Sequence, residues 1–302
     1  MLLTTAGCGG SGGSGPGEVT LALDFTPNAV HAPIYAAVRE GFDRRHGVRI
    51  RIRAPGSAPD SLKLLAAGKA DVAILDIHDL GLARERGADV VGVGALVQRP
   101  LAAIIARREV RRPRDLEGRR VGVSGLPSDP AVLRAVMSHD DGDVGRVREV
   151  TIGFAAVPSL IQGKVQAVPA FWNAEGVVLH RRGVPIREFR VDDYGAPRYP
   201  EVVVFTTRRK LEQRRRDIEA VVAALRDGVR SVLADPEPAA EDIARASGAE
   251  PGLVRAQLDA VSPAFRPPLR LNRRALEGWA SWDARFGILK HRPDVDRAFA
   301  LR

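Results

Sequence analysis

Short apolar strands alternate with amphipathic helices along most of this chain of 302 residues, and this alternation limits the folds it can adopt. EVTLALDF (18–25) has the pattern of a strand and APIYAAVREGFDRRHG (32–47) that of a helix, while VRIRIRAP (48–55) alternates with the period of two typical of a strand. Strands that alternate with helices indicate βαβ units around mainly parallel sheets, and therefore an α/β fold.

The alternation restarts near residue 100, which predicts a second α/β unit and two lobes. The later strand near 200–208 looks like a return to the first unit, and the chain after it is predicted to be helical. We therefore predict lobe 1 from 18–99 and 203–302 and lobe 2 from 100–202. The chain then crosses between the lobes twice, near 98–101 and 199–204, which forms a double-crossover hinge. The predicted strands lie at 18–25, 48–55, 71–76, 89–98, 101–109, within 111–125, and at 147–154, 166–172, 186–191 and 200–208.

Ligands of open α/β sheets bind outside the carboxyl ends of the strands, so with two facing lobes these ends line a cleft. In lobe 1 the loop LDFTPNAVHAPIY (23–35) places acceptors, donors and flat rings at such an end. The candidate ligand contacts of lobe 1 are Asp24, Phe25, Asn28, His31, Tyr35, Gly56, Ser57, Asp76 and His78.

Lobe 2 offers two further strand ends. GVSGLPSDPAV (122–132) has small residues before a helix and resembles a cradle for a phosphate or a carboxylate, but it contains no Walker lysine. PAFWNAEGV (169–177) supplies a tryptophan for stacking and polar groups beside it. The candidate contacts of lobe 2 are Ser124, Ser128, Asp129, Trp172, Asn173, Glu175 and, near the return crossing, Tyr194.

Several of these side chains have a purely structural alternative. Asn28 has the residue type and position of a helix cap, and Gly56 and Ser57 also precede a helix. Tyr35 and Trp172 have large side chains that are equally suited to a purely structural role in the core. The sequence leaves both roles open for each of them.

The N-terminal segment has a distinct composition. Its single cysteine, Cys8, follows Thr5-Ala6-Gly7 and precedes a Gly/Ser-rich tether, with the segment spanning residues 1–17. Small residues before a cysteine resemble a bacterial lipobox, which predicts Cys8 as a lipid-attachment site. The alternative is a tail with an incidental cysteine. One cysteine also excludes an intrachain disulfide and a multi-cysteine metal site.

The net charge of +9 is carried almost entirely by arginine, because the chain has only five lysines. The densest basic run, RRKLEQRRRDIE (208–219), contains acids and begins an amphipathic helix, so it indicates a solvated face rather than nucleic-acid binding. The spacing G-x-S-x-G occurs only within the Gly/Ser-rich tether (9–13), and no H-x-x-x-H or paired Cys/His spacing occurs. We therefore predict no catalytic residues, no cofactor and no metal. The cleft chemistry suits recognition of a flat, nitrogen-rich heterocycle.

Four segments, LDFTPNAVHAPIYAAVREGFDRRHGV, AAGKADVAILD, GVSGLPSDPAVL and FWNAEGV, resemble in this order the solute-binding subunits of bacterial ABC importers. Within these, the chain is similar to the thiamine-pyrimidine-precursor and riboflavin-binding group, which is related to the yeast pyrimidine synthase. The resemblance covers about residues 18–235. It implies a two-lobe type II periplasmic-binding-protein fold and places Asp24, Asn28, His31, Trp172 and Glu175 at ligand-contact positions.

The same resemblance implies a function. The expected protein is a monomeric, extracytoplasmic component of an ABC importer, held at the membrane through a lipid anchor or located in the periplasm, with a permease and an ATPase as partners. Its expected ligand is an aminopyrimidine vitamin precursor, with riboflavin as the alternative. A pyrimidine-synthase-like enzyme is the rival class: His78 matches the histidine that the yeast enzyme consumes. The cysteine-rich iron-binding stretch of that enzyme, however, corresponds to YPEVVVFTT (199–207), which has no cysteine. A sensor domain of similar fold is a third alternative.

Overall fold

The computed structural model describes residues 17–55, 61–125, 128–153 and 155–301, which form two sheets with helices on both faces. Every strand of these ranges coincides with a segment that the sequence pattern predicted, and the α/β fold is confirmed. The strands are β1 Gly17–Ala22, β2 Val48–Arg53, β3 Val72–Asp76, β4 Val90–Ala95, β5 Ala102–Arg107, β6 Arg120–Val123, β7 Arg148–Thr151, β8 Ala167–Phe171, β9 Ile186–Arg190 and β10 Val202–Thr207.

The helices fill the connections and the C-terminal third. Their bounds are α1 Ala32–Arg39, α2 Phe42–Arg45, α3 Ser61–Ala66, α4 Ile77–Glu85, α5 Asp129–His139, α6 Ala156–Ile161, α7 Val177–Arg181, α8 Arg208–Gln213, α9 Arg215–Ala234, α10 Glu237–Ser247, α11 Pro251–Val261, α12 Arg273–Arg285 and α13 Val295–Ala298. The predicted helix at 209–233 is two helices, because Arg214 leaves helical geometry and donates to the carbonyl of Glu18 at 2.8 Å.

The lobe 1 sheet has the order β2-β1-β3-β10-β4, and the lobe 2 sheet has the order β7-β6-β8-β5-β9. β1, β2 and β3 are parallel, and β10 runs antiparallel to β3 and β4. In the second sheet β6, β7 and β8 are parallel, and β5 runs antiparallel to β8 and β9. The antiparallel strands are those that join the lobes, so both crossings lie at the edge where the parallel strands end.

The two crossings occupy the short segments 96–101 and 191–201, between β4 and β5 and between β9 and β10. Leu96 and Val97 both donate to the carbonyl of Val202, at 2.9 and 3.1 Å, so the outgoing segment pairs with the returning strand. Two hydrophobic layers, one on each face of the sheets, contain residues of both lobes. The predicted double crossover is therefore present.

The C-terminal helices contact lobe 2 as well as lobe 1. From lobe 2, Arg134 of α5 donates to the carbonyl of Phe286 at 2.8 Å, next to the end of α12. Gln257 of α11 donates to the carbonyl of Ala174 at 3.4 Å. The sequence-based division assigned 203–302 to lobe 1 as a whole; in the structure, α11 and α12 extend across the boundary between the lobes on opposite faces. In the described ranges no helix combines the length and the apolar content needed to cross a bilayer.

Helix α9 packs closely on α1 through Gly228. Its apolar residues recur at helical spacing and are buried, among them Val221, Leu225 and Val229. An added Cβ at Gly228 would lie 2.1 Å from the carbonyl oxygen of Pro33, so only glycine permits this helix-to-helix distance. The packing of α9 on α1 in turn holds the loop that leads from β1 into the cleft.

We predict that Gly228→Ala lowers the free energy of unfolding by about 2 kcal/mol, because the new methyl group overpacks the α1–α9 contact. The urea midpoint measured by circular dichroism should fall with an unchanged slope. The control is Gly252→Ala in α11, where a Cβ would meet the rotatable carboxylate of Glu250 at 2.8 Å. Equal midpoints for the two variants would contradict the close-packing argument.

Candidate functional site

The loop after β1 is organised by its own polar side chains. His31 is almost fully buried, and its Nε2 lies 2.8 Å from Oδ1 of Asp24. The Oδ1 of Asn28 accepts from the backbone N–H of Val30 at 2.9 Å, and the backbone N–H of Asn28 donates to Nδ1 of His31 at 3.3 Å. The structure thus brings Asp24, Asn28 and His31 together, with Asn28 as the cap of the following helical turn.

The two rings predicted near this loop lie in different places. Phe25 is 40% exposed at the strand end. Tyr35 is partly buried on α1 and packs against the hydrophobic layer, and burial, together with the charge of Asp242 on α10, raises its pKa. Tyr35 therefore occupies the helix-packing position that the sequence left as its alternative role.

At the end of β3 the side chains of Asp76 and His78 are both engaged with the protein. Asp76 caps α4 by accepting from the backbone N–H of His78 at 2.7 Å. His78 is buried; its Nδ1 lies 2.8 Å from Asp283 of α12 and its Nε2 lies 3.1 Å from the hydroxyl of Tyr199. Since both ring nitrogens have partners, His78 orders the base of the cleft in this structure.

The charges around His78 determine its protonation. Burial disfavours the imidazolium, but the carboxylates of Asp283 and Asp76 outweigh burial and raise the pKa of His78 to about 9. The carboxyl of Glu201 also lies here, and ligating atoms of Asp76, His78 and Glu201 fall within 4.8 Å of one another. Because these groups already hold one another and the backbone, we assign no metal to this cluster.

The end of β6 carries the loop that resembled an anion cradle. Both the backbone N–H and the hydroxyl of Ser124 donate to Oδ2 of Asp129 at 2.6 Å. The cradle is thus occupied by a carboxylate of the chain itself, and Ser128 precedes it at the start of α5. Burial raises the pKa of Asp129, although the donors of Ser124 oppose that shift.

Asp79, in the first turn of α4, is a site residue that the sequence analysis missed. Among the described residues it has no hydrogen-bond or ion-pair partner. Burial raises its pKa, the charge of His78 lowers it, and the carboxylates of Asp24 and Asp129 raise it further. Asp24 belongs to lobe 1 and Asp129 to lobe 2, so carboxylates of both lobes affect the pKa of Asp79. The sequence signal that could have identified Asp79 was its position three residues after Asp76, in the first turn of the helix that follows β3.

The end of β8 continues into a π-helical turn, Trp172–Gly176, a conformation frequent at functional sites. Trp172 is buried; its indole Nε1 donates to the carbonyl of Pro100 at 3.1 Å, and the guanidinium of Arg190 lies 4.3 Å from its ring centre. One ring face is therefore covered by a cation. The residue borders a cavity of about 270 Å³ between β9 and the segment around Pro263.

Asn173 and Glu175 follow Trp172 and differ in whether their side-chain oxygens have hydrogen-bond donors. Glu175 accepts from the backbone N–H of Phe171 at 3.1 Å, and burial raises its pKa. Asn173 is only 2% exposed, and among the described residues its Oδ1 has no hydrogen-bond partner. A buried amide oxygen without a donor is costly, so this atom needs a donor that the described part of the chain does not supply.

The remaining predicted contacts lie elsewhere. Tyr194 packs edge-on against His139 and Phe189, with ring centres 5.7 Å apart in both pairs. Gly56, Ser57 and Cys8 lie outside the described residues. The sequence analysis did not identify three residues that surround Asp76 and His78, namely Asp283, Tyr199 and Glu201. Each of them lies far along the chain from Asp76 and His78.

The raised pKa of His78 makes stability depend on pH. A histidine whose folded-state pKa exceeds its unfolded value of 6.5 stabilises the fold fully below pH 6.5, and this contribution disappears as pH rises through about 9. We expect Asp283→Asn to flatten the fall in melting temperature between pH 6.5 and 9.5, with a loss of roughly 3 kcal/mol at pH 6.5.

The matched control for this measurement is Asp227→Asn. Asp227 lies 2.8 Å from Nε2 of His46, but both side chains are about one-third exposed, so water screens the pair. The melting temperature of this control should follow the wild-type pH profile. An Asp283→Asn protein with the wild-type slope would contradict the assignment.

Comparison with known proteins places the site in context. The chain is 30% identical over 224 residues to a formylaminopyrimidine-binding protein of Halalkalibacterium halodurans, covering 73% of this chain and 68% of the relative. It is 27% identical over 229 residues to a putative thiamine biosynthesis protein of Haemophilus influenzae, covering 74% and 71%. A 4-amino-5-hydroxymethyl-2-methylpyrimidine phosphate synthase of Uromyces fabae is 22% identical over 237 residues, covering 72% and 68%.

Solved structures share the fold at low sequence identity. The aliphatic sulphonate binding protein SsuA of Escherichia coli superimposes with a TM-score of 0.76 at 16% identity, covering 94% of this chain and 92% of that chain. The alkanesulfonate-binding protein SsuA of Xanthomonas axonopodis pv. citri gives a TM-score of 0.73 at 18% identity, covering 96% and 100%. The two-lobe periplasmic-binding-protein fold is thereby confirmed. The model of the family described as NMT1/THI5 like matches residues 28–239, and the chain belongs to that family.

Proposed function

We propose that this protein is the extracytoplasmic solute-binding component of an ABC importer and that its ligand is an aminopyrimidine vitamin precursor held between the lobes. The observation that carries the proposal is the placement of hydrogen-bond acceptors at strand ends of both lobes, the carboxylate of Asp24 after β1 and the unpartnered Oδ1 of Asn173 after β8. The formylaminopyrimidine-binding relative supports the same ligand class.

The chemistry of these acids suits an amino heterocycle. An ionised carboxylate accepts hydrogen bonds from an exocyclic amine, and a carboxyl with a raised pKa, such as that of Asp79, can also donate to a ring nitrogen. The unpartnered Oδ1 of Asn173 can accept one more hydrogen bond. A ligand that donates to both lobes favours the closed arrangement, since it binds that arrangement more tightly than the open one.

We propose binding without chemistry, in contrast to the relatives named as synthases. His78, which matches the histidine consumed in the yeast enzyme, is buried between Asp283 and Tyr199, and this supports a structural role. Trp172 and Glu175 stay proposed ligand contacts. Contact of Trp172 with a ligand would use the part of the ring that Arg190 and Arg99 leave free.

The proposed partners are a permease and an ATPase, and the proposed location is outside the cytoplasm, either in the periplasm or on the membrane through lipid at Cys8. Solved neighbours described as periplasmic binding proteins support this location. We propose a monomer that acts through the movement of its lobes about the two crossings.

The ligand proposal predicts selective binding. Isothermal titration calorimetry should show that the protein binds formylaminopyrimidine or hydroxymethylpyrimidine more tightly than riboflavin or thiamine. We expect Asp79→Asn to weaken binding about tenfold or more, since a hydrogen bond to a charged group contributes about 1.5–3 kcal/mol. The control is Asp143→Asn, where the acid only caps a turn of lobe 2 by accepting from the N–H of Gly145. A preference for riboflavin, or a pyrimidine that mass spectrometry shows to be converted, would overturn the proposal.

The location proposal predicts lipid attachment. In the native host, Cys8→Ser should release the protein from the membrane fraction, because the proposed anchor is lipid attached to that cysteine. Stable anchoring needs more than one acyl chain, so mass spectrometry of the wild-type N-terminal peptide should show multiple acylation. Ser11→Ala, in the Gly/Ser segment beside it, is the control. A Cys8→Ser protein that stays in the membrane fraction would contradict the assignment.

A further inference from the structure

Glu201 has an unusual position for an acid. It lies at the end of the returning segment, directly before β10, and is 1% exposed. Its carboxylate accepts from the backbone N–H groups of Leu101 and Ala102, which belong to the outgoing segment and the start of β5. One buried side chain therefore ties together the two crossings that join the lobes.

The contacts of Glu201 extend to both candidate ligand loops. Its backbone carbonyl accepts from Ile77 at 2.9 Å, at the start of α4 in lobe 1. The carbonyl of Leu101, whose N–H donates to Glu201, accepts from the backbone N–H of Trp172 in lobe 2 at 3.1 Å. A continuous series of hydrogen bonds thus runs from the end of β3, through Glu201 and Leu101, to the end of β8.

The surroundings explain how the carboxyl is tolerated without a basic partner of its own. It lies against the carboxyl of Asp76, and burial raises the pKa of Glu201 to about 7, although the N–H donors of Leu101 and Ala102 oppose this shift. The pKa of Asp76 is also raised, chiefly by burial. The other titratable groups nearby are His78, Tyr199 and Asp283.

We propose that Glu201 is the clasp that fixes the resting angle between the two lobes, by holding the crossing segments to each other and to the loops at the ends of β3 and β8. Glu201 is a positioning residue and does not touch the ligand. Loss of the clasp leaves the N–H groups of Leu101 and Ala102 unpaired in the interior, which favours hinge geometries that expose them to water.

The clasp is tested on the ligand-free protein, so the result is independent of the proposed ligand. Hydrogen exchange should show protection of the Leu101 and Ala102 amides falling tenfold or more in Glu201→Ala, and small-angle scattering should show a changed radius of gyration. Glu201→Gln should restore both values, because its amide oxygen accepts from Leu101 and its NH₂ donates to Asp76. Glu201→Met, which fills a similar volume without an oxygen acceptor, should behave like Glu201→Ala, whereas a merely space-filling role predicts that it restores both values.

The matched control is Asp43→Ala. Asp43 is 2% exposed and accepts from the backbone N–H of Ile50 at 3.0 Å, but both residues lie within lobe 1. This variant should lose stability and keep the wild-type radius of gyration. If Glu201→Ala does not fold, the test uses Glu201→Asp, which withdraws the carboxylate by one methylene. This variant should show the same loss of amide protection and the same change in radius of gyration, with smaller magnitudes. Wild-type protection at Leu101 and Ala102, or an equal scattering change in Asp43→Ala, would overturn the proposal.

Discussion

The structure depends on pairing backbone amides where the chain crosses between its lobes. Both crossings run through a buried boundary, and every N–H group there needs an acceptor. The carboxylate of Glu201 supplies that acceptor for Leu101 and Ala102, and Val202 supplies it for Leu96 and Val97. An isolated buried carboxylate is costly, but this one replaces lost water with two backbone donors. As a result, the ends of β3 and β8 are held in a fixed position relative to each other.

The cleft concentrates acids in a chain whose net charge is +9. Asp24 pairs with His31 and Asp129 pairs with Ser124, while Asp79 is left without a partner among the described residues. Like charges that face each other across a boundary oppose closure of the lobes. A ligand that presents hydrogen-bond donors to them would remove this opposition. In the proposed function, the electrostatics of the cleft would connect lobe closure with ligand chemistry.

The same fold occurs in proteins described as binding sulfonates, at sequence identities below 20%. The fold accordingly determines where a ligand binds, and the side chains at the strand ends determine which ligand binds there. In this chain the donors of the anion-cradle-like loop at Ser124 are directed at Asp129, so this loop is not a free anion site in the structure.

The sequence by itself determined the α/β fold, the strands and the double crossover, because hydrophobic period, glycine stops and helix caps are properties of neighbouring residues. It also identified Asp24, Asn28 and Asp129 at strand ends, since strand direction alone places them there. Only the tertiary structure decided which of these groups are free. His78 is saturated by Asp283 and Tyr199, 205 and 121 residues away, and Trp172 is covered by Arg190. Such partners are chosen by the packing of distant segments, for which a local pattern carries no information.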